Sequence, residues 1–121
     1  MFGLTTKRIL TLFARKRNTV IEEKLTEYMI LGERTNNEQF RYQLQVELDP
    51  PTQDQISIML SNIQKDQSHL LISGATSVQD ALNKYQNDFR TFRRPCLVDW
   101  DKGKVSPYSL LLQTRDFKQL L

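Results

Sequence analysis

At 121 residues and 14.3 kDa the chain has the size of one domain spanning residues 1–121, large enough for its own core. Hydrophobic residues make up 39% and charged residues 26%, the balance of a folded globular protein rather than a disordered one. Lys and Arg outnumber Asp and Glu by 17 to 14, an excess that permits an anionic ligand, RNA or an acidic membrane surface and demands none of them.

The single Cys96 excludes an intrachain disulfide, a CxxC redox pair and a four-cysteine zinc site. The lone His69 has no second ligand near it, so no structural metal is expected. No apolar run approaches the roughly 20 residues that span a bilayer.

The first 18 residues, MFGLTTKRILTLFARKRN, contain Lys7, Arg8, Arg15, Lys16 and Arg17 and no acid; Glu22 is the first carboxylate. An Arg-rich, acid-free start with interspersed apolar residues has the composition of a mitochondrial presequence, or transit peptide. RILTLFA also reads as a buried first strand with a basic loop after it. The strand is favoured, because the helix that follows needs a surface to pack on. Both readings hold together if a targeting signal is never removed.

NTVIEEKLTEYMIL (18–31) reads as a helix, with Thr19 and Glu22 as a capping box and Gly32 as its stop. Val20, Ile21, Leu25, Tyr28 and Met29 lie near one face, while Glu22, Glu23 and Glu27 read as solvent-facing partners of Lys24. FRYQLQVEL (40–48) alternates strictly, with Phe40, Tyr42, Leu44, Val46 and Leu48 on one side, and its polar other side suggests an edge or half-covered strand. DPPT breaks the ladder, and Thr52 then caps a helix carrying Ile56, Met59, Leu60 and Ile63.

Residues 64–76, around HLLISGA, are polar and irregular and yield no assignment. Ser77 opens another helix, with Val78, Ala81, Leu82, Tyr85, Phe89 and Phe92 on one stripe, the pattern of a core face. CLVDW reads as a strand, DKGK as a tight turn, Val105 as the start of a return strand and TRDFKQLL as a short terminal helix. Asp99, beside Trp100, reads as a hydrogen-bonded structural acid ahead of a catalytic base. This order predicts an α/β fold of thioredoxin-like type, a central mixed four-stranded sheet flanked by helices.

Three stretches carry a resemblance: ILTLF, YQLQVELDPPTQDQISIML and LVDWDKGKV. Together they resemble the fungal mitochondrial redox protein family, which has a thioredoxin-like fold. Through RRPCLVDWDKGKV the hairpin is also distantly similar to the ArsC arsenate reductase and Spx branch. The resemblance implies a mitochondrial protein that reduces small toxic molecules by thiol chemistry, with no cofactor beyond glutathione as a thiol co-substrate. It also implies that Pro95 is a structural cis-proline at the start of the third strand. The ArsC and Spx branch keeps its reactive cysteine in the turn after the first strand; here that turn is ARKRNT. The family's cysteine position before the Arg-Pro stretch falls near Tyr85.

Cys96 is therefore the one candidate catalytic thiol. Arg93 and Arg94 beside it would lower its pKa and favour a mixed disulfide with substrate or glutathione. The simpler reading makes it a small buried hydrophobe that shares a strand face with Val98 and Trp100. Arg15, Lys16 and Arg17 precede a helix N-terminus and Arg93 and Arg94 precede Pro95, so the fold predicts that five cations converge on one end of the sheet. Such a cluster suits phosphate, a carboxylate or a nucleic-acid backbone. No GxGxxG, P-loop, HExxH or Ser-His-Asp pattern is present. Three functions follow: a thiol-dependent oxidoreductase acting on a small-molecule substrate, a non-catalytic module that binds an anion, RNA or a protein partner through its basic end, or an inactive relative of an enzyme kept for assembly or regulation.

Overall fold

Alternating and β-branched apolar residues build the sheet first, and the helices fill its two faces. In the computed structural model the described residues are 8–35, 42–107 and 111. The strands are β1 (Arg8–Phe13), β2 (Tyr42–Glu47), β3 (Cys96–Asp99) and β4 (Lys104–Ser106). The helices are α1 (Val20–Thr35), α2 (Gln53–Ser61) and α3 (Val78–Asn87). The four strands form one sheet in the order β2-β1-β3-β4. β1 and β2 pair in parallel through α1, whereas β3 runs antiparallel to both β1 and β4. This mixed four-stranded sheet with flanking helices is the thioredoxin-like arrangement expected from the element order.

The two-residue period of the strands sends alternate side chains into two separate layers. Leu10, Leu12 and Ala14 meet Leu25, Tyr42, Leu97 and Leu111 on the α1 side. Phe13, Cys96 and Val98 meet Ile56, Met59, Leu60, Ala81, Tyr85 and Phe92 on the side of α2 and α3. All four residues of β3 are buried, as a central strand covered on both faces requires. β2 lies at the sheet edge, with Tyr42 buried, Leu44 and Val46 half-buried and the intervening residues exposed, as its alternation predicts.

Local chemistry sets the helix starts. Thr52 and Gln55 form a reciprocal capping box on α2, with bonds of 3.1 and 2.9 Å. The Ser77 hydroxyl accepts the Asp80 N–H at the start of α3. Thr19 caps α1 by accepting the Glu22 N–H at 3.2 Å, but the Glu22 carboxylate does not close the box. It turns instead to Arg17 and to the Asn18 N–H.

Several sequence expectations need correction. Gly32 does not stop α1, which continues to Thr35; an interior glycine costs only about 1 kcal/mol and does not end a helix by itself. Val20, the first residue of α1, is exposed, so the described stripe is Ile21 and Leu25, four residues apart on one face. Glu22 is not solvent-facing: it is only 8% exposed. Phe89 leaves the α3 stripe at 57% exposed because the extended Asp88 ends the helix and caps a short 3₁₀ turn, Phe89–Thr91.

Residues left without assignment form a 3₁₀ turn, Lys65–Leu70, followed by the fully buried Leu71 and Ile72. Ile72 makes an isolated antiparallel bridge with Phe92. Asp99 is buried and accepts the Lys102 N–H at 3.2 Å, which fits the structural acid expected there. Phe40, the side chains of Tyr28 and Met29, and the C-terminal helix expected over 114–121 lie outside the described residues.

Candidate anion-binding site

The antiparallel register of β1 and β3 places Phe13 opposite Cys96. The chain leaving β1 and the chain entering β3 therefore meet at one end of the sheet, with Arg15 and Arg94 each two residues beyond that pair. The Arg94–Pro95 peptide bond at this end is cis. Between the two segments lies an open cleft of about 430 Å³. Arg15 supplies one wall, Ser73 part of the rim, and Arg90, Thr91, Phe92, Arg93 and Arg94 the other wall.

Backbone bonds hold the second wall. The Ser73 N–H donates to the Thr91 carbonyl and the Arg93 N–H to the Leu71 carbonyl, both at 2.8 Å. The Phe92 ring packs edge-on against Phe13 at 5.7 Å and against Tyr85 at 6.3 Å, so the floor of the cleft is continuous with the core. One guanidinium nitrogen of Arg94 donates to the Leu48 carbonyl at 2.9 Å, tying this wall to the end of β2. A guanidinium has five donors, so this bond leaves Arg94 donors for a further acceptor.

Of the five cations expected to converge, the structure brings Arg15, Arg93 and Arg94 to the cleft. Lys16 and Arg17 are not among its lining residues. Arg17 forks onto Glu22, with Nε and Nη2 donating at 3.2 and 3.1 Å. That guanidinium, followed by the Asn18 N–H at 2.8 Å, holds the Glu22 carboxyl below the usual glutamate range against the opposing effect of burial. The start of α1 thus carries its own carboxylate, and the cleft's positive field comes from arginine side chains.

Arg90 and Ser73 line the cleft and were not singled out in the sequence. Arg90 was legible as a third arginine in the stretch FRTFRRP; Ser73 comes from the segment whose fold has no periodic signal. Arg90 is paired with Asp88 through two bonds of 3.0 and 3.1 Å, which hold the Asp88 carboxyl down.

Cys96 is fully buried, and burial pushes its thiol well above the usual cysteine range. Tyr85, near which the resemblance places a cysteine, is also buried; its hydroxyl donates to the Pro51 carbonyl. Among the described residues no group of three or more His, Cys, Asp or Glu could hold a metal ion. Among them, too, no helix is long and apolar enough to cross a membrane.

Fold and site together define a thioredoxin-like α/β protein with an arginine-lined cleft at the end of the sheet where β1 leaves and β3 enters. The chain belongs to the DUF1687 family, described as "Protein of unknown function (DUF1687)", which it matches over residues 2–107. It is 70% identical, over 121 residues and 100% of both chains, to a Schizosaccharomyces pombe protein named "Putative redox protein fmp46, mitochondrial". At that similarity the protein is mitochondrial. No solved structure matches it.

Proposed function

We propose that this protein is a thioredoxin-like binding module that holds a small anionic ligand, of the class of glutathione or a phosphate compound, in the cleft between Arg15 and Arg93–Arg94. One observation carries the reading: arginines from segments about 80 residues apart in sequence line a single cleft, while the chain's only thiol lies sealed in the core. Planar guanidinium forks match carboxylate and phosphate oxygens in pairs. A cleft of about 430 Å³ suits a small molecule. An RNA backbone is served by a longer basic track than this.

The relative's printed name and the place of Cys96, directly after Pro95 at the cleft end of β3, favour a second reading. Here the protein reduces small toxic molecules as a monothiol oxidoreductase, in keeping with kinship to the ArsC and Spx branch. The Cys96 thiolate attacks a substrate disulfide and expels one thiolate. A second thiol, glutathione, then attacks the mixed disulfide and releases Cys96. This chemistry requires the sulfur to leave the core and its pKa to fall.

Two measurements separate these readings. Titration of the nitrogen-15-labelled protein with glutathione should shift the amides of Arg15 and Arg90–Arg94, and Arg93→Ala should weaken the binding. The absence of such shifts, with phosphate as well as glutathione, would sink the anion reading. Alkylation of native Cys96 by iodoacetamide decides the second: fast reaction below pH 7 supports a monothiol, and protection until unfolding removes it.

A further inference from the structure

The loop between β1 and α1 carries three consecutive cations, yet only Arg15 enters the cleft. Ala14 anchors one end of the loop, donating its N–H to the Glu47 carbonyl at 3.0 Å. Residues 15–18 are exposed, and Asn18 takes a left-handed conformation with φ of 63°. Asparagine tolerates that region better than most residues, but the conformation still needs a partner to hold it.

That partner is Glu22, in the first turn of α1. Its carboxylate accepts the Asn18 N–H at 2.8 Å and both nitrogens of the Arg17 fork, while its own N–H donates to the Thr19 hydroxyl. Every side-chain hydrogen bond made by loop residues 15–19, among the described residues, leads to Glu22. The carboxylate is largely buried whereas the Arg17 side chain is 58% exposed, so the acid is the fixed member of the pair.

We infer that Glu22 is a positioning residue for the cleft: by capturing Arg17 and the Asn18 N–H it fixes the loop in the one conformation that turns Arg15 toward a bound anion. The inference rests on the anion-binding reading above. It makes a prediction opposite in sign to that of simple charge. Removing a nearby acid should tighten anion binding through the field alone. Removing this acid should weaken it, because Arg15 loses its fixed direction.

The test is titration with inorganic phosphate, followed by the amide shifts of Arg93 and Arg94 in the full chain. Glu22→Gln, nearly isosteric, and Arg17→Ala, at an exposed position, should each weaken phosphate by roughly fivefold, the effect of losing one or two net hydrogen bonds. The double variant should be no weaker than either single one. In an Arg15→Ala background, Glu22→Gln should change nothing further. Glu22→Gln keeps one amide oxygen, which can serve the Asn18 N–H, but loses the paired acceptor of the fork, so the Arg17 Nε–H resonance should shift toward its solvent-exposed position and report the opened fork independently of binding.

Phosphate bound by Glu22→Gln as tightly as by wild type, or more tightly, overturns the role of Glu22. So does an undiminished Glu22→Gln effect in the Arg15→Ala background. A wild-type chain that binds neither phosphate nor glutathione overturns the anion reading itself, a result distinct from either of these.

Discussion

Phe13 and Cys96 are paired across the antiparallel β1–β3 ladder, and the Phe13 ring packs on Phe92, which lines the cleft. Two aromatic rings thus link the arginine-lined surface to the layer that contains the only thiol. Their packing argues for the first prediction. In the native protein Cys96 should resist iodoacetamide even at pH 8. Phe92→Ala should expose it and speed alkylation, while removing ~3–5 kcal/mol of stability, the usual cost of deleting a core phenyl ring. The alkylation rate and a denaturant midpoint, measured on one sample, check both halves. An unchanged rate in the variant would show that other side chains seal the sulfur.

Arg94 has two tasks, a bond to the Leu48 carbonyl and a place in the cleft wall. Arg94→Lys keeps a charge but loses the fork. It should retain most of the stability and weaken glutathione binding severalfold, whereas Arg94→Ala should weaken it about tenfold, as for loss of one charged contact. Calorimetric titration of both variants at two salt concentrations checks this, since the charge contribution must shrink as salt rises.

Glu22 has a depressed native pKa, first because of Arg17 and then despite its burial. A depressed carboxyl adds stability that is fully present above its unfolded value, 4.5, and is lost as the pH falls through the native value. Wild type should therefore exceed Glu22→Gln in stability at pH 6, and the difference should vanish in the acid range below pH 4.5. Urea midpoints of the two proteins across that range supply the measurement; a gap that persists at low pH would trace to packing, not charge.

Residues Arg8–Phe13 lie within the presequence-like first 18 residues and also form a central strand paired on both sides. Removing residues 1–13 should therefore abolish cooperative unfolding, because both neighbouring strands lose their partner. Any processing of the chain inside mitochondria should leave Arg8 and everything after it in place. Mass spectrometry of protein recovered from the organelle reads the N-terminus directly, and a mature form beginning after Arg8 would contradict this.

Much of the fold was legible because its signals are local. The alternation of Tyr42, Leu44 and Val46, the Thr52 cap and the Ser77 cap each follow from residues a few positions apart. The site was legible only in part. That Arg15 and Arg94 share one end of the sheet follows from strand order, and the fold prediction contained it. Which cation of the run faces the cleft depends on Glu22, five residues after Arg17 and reached across a loop-to-helix junction, and no periodicity encodes such a contact. Phe89 and Gly32 misled for a related reason. A helix stripe shows where burial is favourable, whereas Asp88, through its own bonds, decides where α3 stops.

Trp100, the only tryptophan, stands at the far end of β3 from the cleft, and its indole N–H donates to the Thr11 hydroxyl of β1 at 2.8 Å. The chain therefore carries one indole fluorophore, selectively excited at the red edge of tryptophan absorption, wired to the central strand pair and remote from the arginines. Its emission should report separation of β1 from β3 and stay silent when an anion enters the cleft. Stability and ligand occupancy can then be read optically as independent signals from a single unlabelled sample.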